Sequence, residues 1–201
     1  MLILFCTPER LPLVGECNNS TVMVRAFVAL ELPCEIRDRL KGAQEQLRGC
    51  SARLNIVEPS LIHITLKFLG EVADKDIPLI KDALRSIPFK PFPVTIGTVT
   101  VNNPKRPFTV WCTVDDRGQG KVLFRMVEDR LEPLGFPRET RGFTPHATLA
   151  RVKVPDPSLF PVLRAMDKAT YGDCMIGGMK LKKSTLTSRG PVYEDLLEVV
   201  W

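Results

Sequence analysis

The sequence predicts a duplicated α+β domain in which two related lobes of strands and helices face each other across a groove. Three observations carry that expectation. The order strand, helix, strand, helix, strand occurs twice along the chain. An aromatic residue precedes each histidine strand at nearly the same interval, 36 residues from Phe27 to His63 and 35 from Trp111 to His146. The only two histidines each stand two residues before Thr and three before Leu, in LIHITLKFLG (61–70) and TPHATLAR (144–151). Two copies of this length argue for a doubled lobe, because a solenoid needs three or more short repeats.

Element by element, RAFVALEL from Arg25 reads as a strand. PCEIRDRLKGAQEQLRG follows with Ile36, Leu40, Ala43 and Leu47 at helical spacing, Pro33 suited to the first turn and Gly49 to a stop. NIVEPSLIHITLKFLG is the strand region that holds His63, DKDIPLIKDALRSI a second helix and FPVTIGTVTV a further strand. The second copy runs through the strand PFTVWCTVDD, the helix GKVLFRMVEDRLEPLG closed by glycine, and the strand GFTPHATLARV with His146. It ends with the helix PSLFPVLRAMDKA and a strand around MIGGMKLKKSTL.

Composition bounds the rest. A chain of 201 residues, 44% hydrophobic and 25% charged, can bury a real core. No apolar run reaches the roughly 18 residues of a membrane helix, and the start spells neither a basic leader nor a clear cleavage site. Cysteines 6, 17, 34, 50, 112 and 174 include no C-x-x-C pair, which points to reduced thiols in a cytoplasmic protein. The net charge of +5 suits a polyanionic partner without requiring one. MVRAFVALELP from Met23 reads like a chain start, whereas the preceding stretch has no sustained periodicity. The expectation is an extension over 1–22 and one bilobal, monomeric domain over 23–201.

Alternation puts His63, Thr65 and Lys67 on one face of their strand, with Ile62, Ile64, Leu66 and Phe68 behind. His146 and Thr148 share a face in the same way, and strict alternation sends Arg151 to the opposite one. Imidazole titrates near neutrality, so one histidine can take a proton while the other gives one. Hydroxyls two residues away can donate to the non-bridging oxygens of a phosphate. Together these are the parts for in-line attack on phosphorus, with base and water on one side and acid and leaving oxygen on the other. A lone histidine on a strand is usually an ordinary half-buried residue, and H-x-T by itself says little; the matched pair in matched halves carries the signal. There is no third histidine and no H-E-x-x-H for a metal shell, no G-x-S-x-G elbow and no G-x-x-x-x-G-K-[ST] phosphate loop.

HITL and HATL, together with RAFVALELP, KFLG and TPHATLAR, resemble the two-histidine (2H) phosphoesterase superfamily, in particular its RNA 2',3'-cyclic phosphodiesterase branch, historically called 2'-5' RNA ligase. The resemblance spans residues 23–201, including the closing LKKSTLTSRGPVYEDL, and leaves 1–22 without a counterpart. It implies a bilobal, pseudo-twofold α+β fold with two antiparallel sheets flanked by helices around a central groove. It also implies metal-independent opening of RNA 2',3'-cyclic phosphate ends to 2'-phosphates; no cofactor and no membrane partner is expected. By motif position His63 would be the proton donor and His146 the proton acceptor; the symmetry of the motifs leaves that choice open. Thr65 and Thr148 would hold phosphate oxygens. Arg151, Lys67 and Phe68 are candidates for substrate contact, and Arg141 and Arg189 for contact with the RNA backbone. Two alternatives stand beside hydrolysis: 2'-5' ligation, in which a ribose hydroxyl replaces water, and an RNA-binding protein whose histidines only touch phosphate.

Overall fold

The computed structural model describes residues 22–188 and 190–201. The expected N-terminal extension, apart from Val22, and Arg189 lie outside the described residues.

The first half contributes β1 (Met23–Glu31), α1 (Cys34–Leu47), β2 (Arg53–Ile56), β3 (His63–Ala73), α2 (Ile77–Arg85) and β4 (Phe92–Val101). The second contributes β5 (Thr109–Asp115), α3 (Gln119–Leu131), β6 (His146–Val154), α4 (Leu159–Ala165), β7 (Gly172–Ile176), β8 (Gly178–Thr187) and β9 (Gly190–Val200). The helical spacing of Ile36, Leu40, Ala43 and Leu47 is the spacing of the face that α1 buries. Ahead of α3, the Asp116 carboxylate accepts the Gly118 and Gly120 amides at 2.8 and 2.9 Å, satisfying donors at the helix start. Gly120 is required there, since a Cβ would collide with that carboxylate and with the Phe143 ring. Two stretches divide where alternation alone reads one strand. A 3-10 turn over Pro59–Leu61 separates β2 from β3, and Gly177 separates β7 from β8.

The strands order as β7-β4-β5-β6-β3-β1-β8-β9, with β2 beside β6. Within this path β3-β1-β8 is answered by β6-β5-β4, so each lobe has its own antiparallel sheet. The two sheets join edge to edge through β3 and β6 into one of nine strands. Each half also lends its late strand to the other lobe: β4 completes the sheet of β5 and β6, and β8 completes that of β1 and β3. The helices cross in the same sense. Helix α1 lies with α4 against β6 and β7, while α3 lies against β3 and α2.

This exchange means that neither half can bury its apolar faces alone, and the buried side chains form one core running from Ala26 and Leu40 to Leu149 and Leu181. Leu40→Ala, at a fully buried position on α1, should cost about 2–5 kcal/mol. It should lower a single cooperative transition in thermal unfolding. Two separated transitions would contradict the exchange.

Candidate active site

The site begins with one backbone pairing. Strand β3 meets β6 at Ile64 and Ala147, the residues that sit between histidine and threonine in each motif. Both are buried, so the opposite face of both strands carries the polar residues. In antiparallel register, neighbours of a pair lie beside each other in reverse order. His63 therefore stands beside Thr148 and Thr65 beside His146, four side chains around a local twofold axis.

Each histidine is held in the same way. His63 Nδ1 donates to the Leu61 carbonyl at 2.7 Å, and His146 Nδ1 to the Thr144 carbonyl at 2.8 Å. A carbonyl can only accept, so both Nδ1 atoms carry hydrogen and both Nε2 atoms are left for chemistry. His63 Nε2 lies 3.0 Å from Thr65 Oγ1. An aromatic ring backs each imidazole: Phe27 lies against His63 with centroids 5.0 Å apart, and Trp111 against His146 at 4.2 Å. Tyr193 meets His63 edge-on at 5.6 Å. The matched intervals in the sequence are thus the intervals of two ring contacts.

Burial holds His63 below the ordinary imidazole value of 6.5. The Leu61 hydrogen bond and the Glu31 carboxylate oppose that lowering, and Lys182 and His146 add to it. Burial likewise lowers His146, opposed by the Thr144 hydrogen bond and reinforced by Arg151. Glu31 is the register partner of His63 across β1 and β3, and Lys182 and Arg37 bind its carboxylate at 2.5 and 3.4 Å.

After each motif the alternation breaks. On β3, Thr65 pairs with Ala29 and Lys67 with Val28, which leaves Leu66 as an extra residue. On β6, Thr148 pairs with Trp111 and Ala150 with Val110, which leaves Leu149 extra. A one-residue bulge re-aims everything beyond it. This corrects the expectation for Lys67: its side chain is only 2% exposed and is paired with Glu128 behind the sheet, so it does not line the groove. Phe68, expected by parity to face the core, is 59% exposed and lines the groove. Arg151 is turned to the same groove, with Nη1 2.7 Å from Thr109 Oγ1.

The groove encloses about 890 Å³, and its lining includes His63, Thr65, Phe68, Thr148, Arg151 and Tyr193. Arg25 and Asn55 also line it, and neither stands out in the sequence. Arg25 shares the parity of Phe27, the signal that could have found it; Tyr193 gives no such signal, because β9 reaches the groove only through its hairpin with β8. Arg141 is exposed in the segment before β6 and is not part of the lining. Among the described residues no group of three or more His, Cys, Asp or Glu is arranged to hold a metal ion, and no helix is long and apolar enough to cross a membrane.

A duplicated sheet that brings one H-x-T strand from each half to a shared groove defines the two-histidine phosphoesterase class. The family model of LigT-like phosphoesterases matches residues 30–111 and 115–193. Curated relatives include the RNA 2',3'-cyclic phosphodiesterases of Archaeoglobus fulgidus, 35% identical over 86% of this chain and 98% of that protein, and of Methanothermobacter thermautotrophicus, 32% identical over 86% and 96%. A crystal structure of a Thermus thermophilus protein superimposes with a TM-score of 0.76 at 27% identity, covering 88% of this chain and 97% of that one. The chain belongs to the LigT-like phosphoesterase family.

The ring contact at His146 supplies an optical probe. With Trp201→Phe leaving Trp111 as the only tryptophan, emission should fall as pH drops and His146 charges, with a midpoint below 6.5. His146→Ala should abolish the quench. A midpoint above 6.5, or a quench that survives His146→Ala, would contradict the buried, lowered imidazole.

Proposed function

We propose that the protein opens the 2',3'-cyclic phosphate at the end of an RNA, adding water across the P–O3' bond to leave a 2'-phosphate and a 3'-hydroxyl. The observation that carries this reading is the Ile64–Ala147 pairing, which gathers two histidines and two threonines onto one face in a phosphoesterase fold. The names of the curated relatives agree with it.

Neutral His146 takes the proton from the attacking water through Nε2 as the P–O bond to water forms. Protonated His63 gives its Nε2 proton to the 3'-oxygen as the P–O3' bond breaks. The hydroxyls of Thr65 and Thr148 donate to the two non-bridging oxygens, where negative charge grows. Burial, the largest influence, lowers both rings. Beyond it, Glu31 favours the charged form of His63 against the individually smaller opposition of Lys182 and His146, while Arg151 favours the neutral form of His146, and that inequality supports this division of roles. Phe68 and Tyr193 offer apolar faces to the terminal nucleoside, and Arg151 and Arg25 offer positive charge to the phosphates. The chemistry draws on no cofactor.

The direct test is to incubate the protein in EDTA with one RNA that ends in a 2',3'-cyclic phosphate and another that begins with a 5'-hydroxyl. The expected product is the first RNA bearing a 2'-phosphate. A joined RNA with a 2'-5' linkage would move the reading to ligation, and binding without turnover would end the enzyme reading. His63→Ala or His146→Ala should each lose about 10²-fold to 10⁴-fold in rate, and the double variant should be little worse than the poorer single, because the two act as a unit. Thr65→Ala or Thr148→Ala should lose roughly 10-fold to 10³-fold.

The sign of the pH dependence follows from burial. In the free enzyme both histidines sit below 6.5. Loss of the base's proton raises kcat/KM as pH climbs, and loss of the acid's proton then lowers it, with both limbs on the acid side. The kcat/KM profile should be a bell with its maximum below 6.5, while bound phosphate, which favours imidazolium, moves the kcat maximum upward. A kcat/KM maximum at alkaline pH would contradict it.

A further inference from the structure

Two buried polar side chains that take no part in the chemistry lie under the two bulges. Gln44 on α1 is 2% exposed and Glu128 on α3 is 3% exposed. They are equivalent positions of the duplication, since 44 to 128 spans the same 84 residues as 27 to 111. Each reaches across to the other half. Gln44 Nε2 donates to the Leu149 carbonyl at 3.1 Å and to the Val57 carbonyl at 2.7 Å. Leu149 is the extra residue of the β6 bulge, and its carbonyl also accepts the Val57 amide at 2.9 Å. Glu128 Oε1 binds Lys67 Nζ, beside the extra Leu66 of the β3 bulge, at 2.5 Å. Its other oxygen accepts the Glu139 amide at 2.9 Å, and Lys67 donates to the Pro137 carbonyl at 2.8 Å.

Stability alone does not explain these choices. A buried ion pair is often no better than apolar side chains filling the same volume, and a buried amide gains little over them. What both arrangements fix is register. A slip of one residue moves every later side chain to the other face, which here would turn Arg151 and Phe68 away from the groove. We propose that Gln44 and the Glu128–Lys67 pair are positioning residues, one for each bulge, that set the reach of Arg151 and Phe68 toward substrate. The inference rests on reading the groove as the cyclic phosphodiesterase site.

A double-mutant cycle tests it, with kcat/KM measured on an RNA ending in a 2',3'-cyclic phosphate. Gln44→Met keeps the volume and removes the donor. In the wild-type background it should cost about 10-fold or more. In an Arg151→Ala background it should cost less than about 2-fold, because the residue it positions is gone. The fold of each variant is checked by its circular dichroism melt. Equal losses in both backgrounds, no loss in a folded Gln44→Met, or an Arg151→Ala that retains full activity would overturn the inference. If Gln44→Met does not fold, Lys67→Met with Glu128→Gln, which removes both buried charges together, is set against Phe68→Ala in the same way. Failure of both to fold would also overturn it, by making the contacts supports of the fold itself. Inactive His63→Ala and His146→Ala beside an additive cycle would sink the positioning role alone, whereas active histidine variants would sink the reading beneath it.

Discussion

Ile64 and Ala147 pair where the edge of one lobe's sheet meets the edge of the other, and the groove depends on that contact. Among the described residues no other pair joins β3 to β6. Because both residues are buried, the pairing is anchored by the core, and because it is antiparallel, it sets each histidine beside the other motif's threonine. A pairing of one residue's length is also what leaves room in front of it. The groove opens there, lined by His63, Thr65 and Thr148 of the two motifs.

The halves are copies, but the chemistry ascribed to them needs an acid and a base, so the symmetry must be broken around matched rings. The Nδ1 hydrogen bonds are equivalent, while the burial, deeper at His63, and the charges are not. The first lobe puts the Glu31 carboxylate next to His63. The second puts the Arg151 guanidinium near His146. Beyond the bulges the same substitution recurs: Phe68 on one side answers Arg151 on the other, and Arg25 answers Thr109. Each wall of the groove thus carries an arginine, delivered by β1 on one side and by β6 on the other.

The duplication, the two histidine–threonine pairs and their apolar backing were legible in the sequence, because each rests on local period and on spacing. The faces of Lys67, Phe68 and Arg151 were not. A bulge exists only between strands, so alternation counted along β3 or β6 alone runs past Leu66 and Leu149 and assigns the following residues to the wrong side. The exchange of β4 and β8 was hidden for a related reason, since an alternating strand does not say which partner it will pair with. Lys67 is the instructive case: its charge and its apparent parity suit a groove residue, and its role is visible only with Glu128, 61 residues away, beside it.

In the proposed reaction two histidines work from opposite sides of one phosphorus in a single displacement, and neither becomes bonded to it. Stereochemistry at phosphorus tests this most directly. An RNA ending in one diastereomer of a 2',3'-cyclic phosphorothioate, opened in water enriched in oxygen-18, should yield a 2'-phosphorothioate of inverted configuration. Retention would mean two displacements through a covalent intermediate on the protein, and would contradict the account.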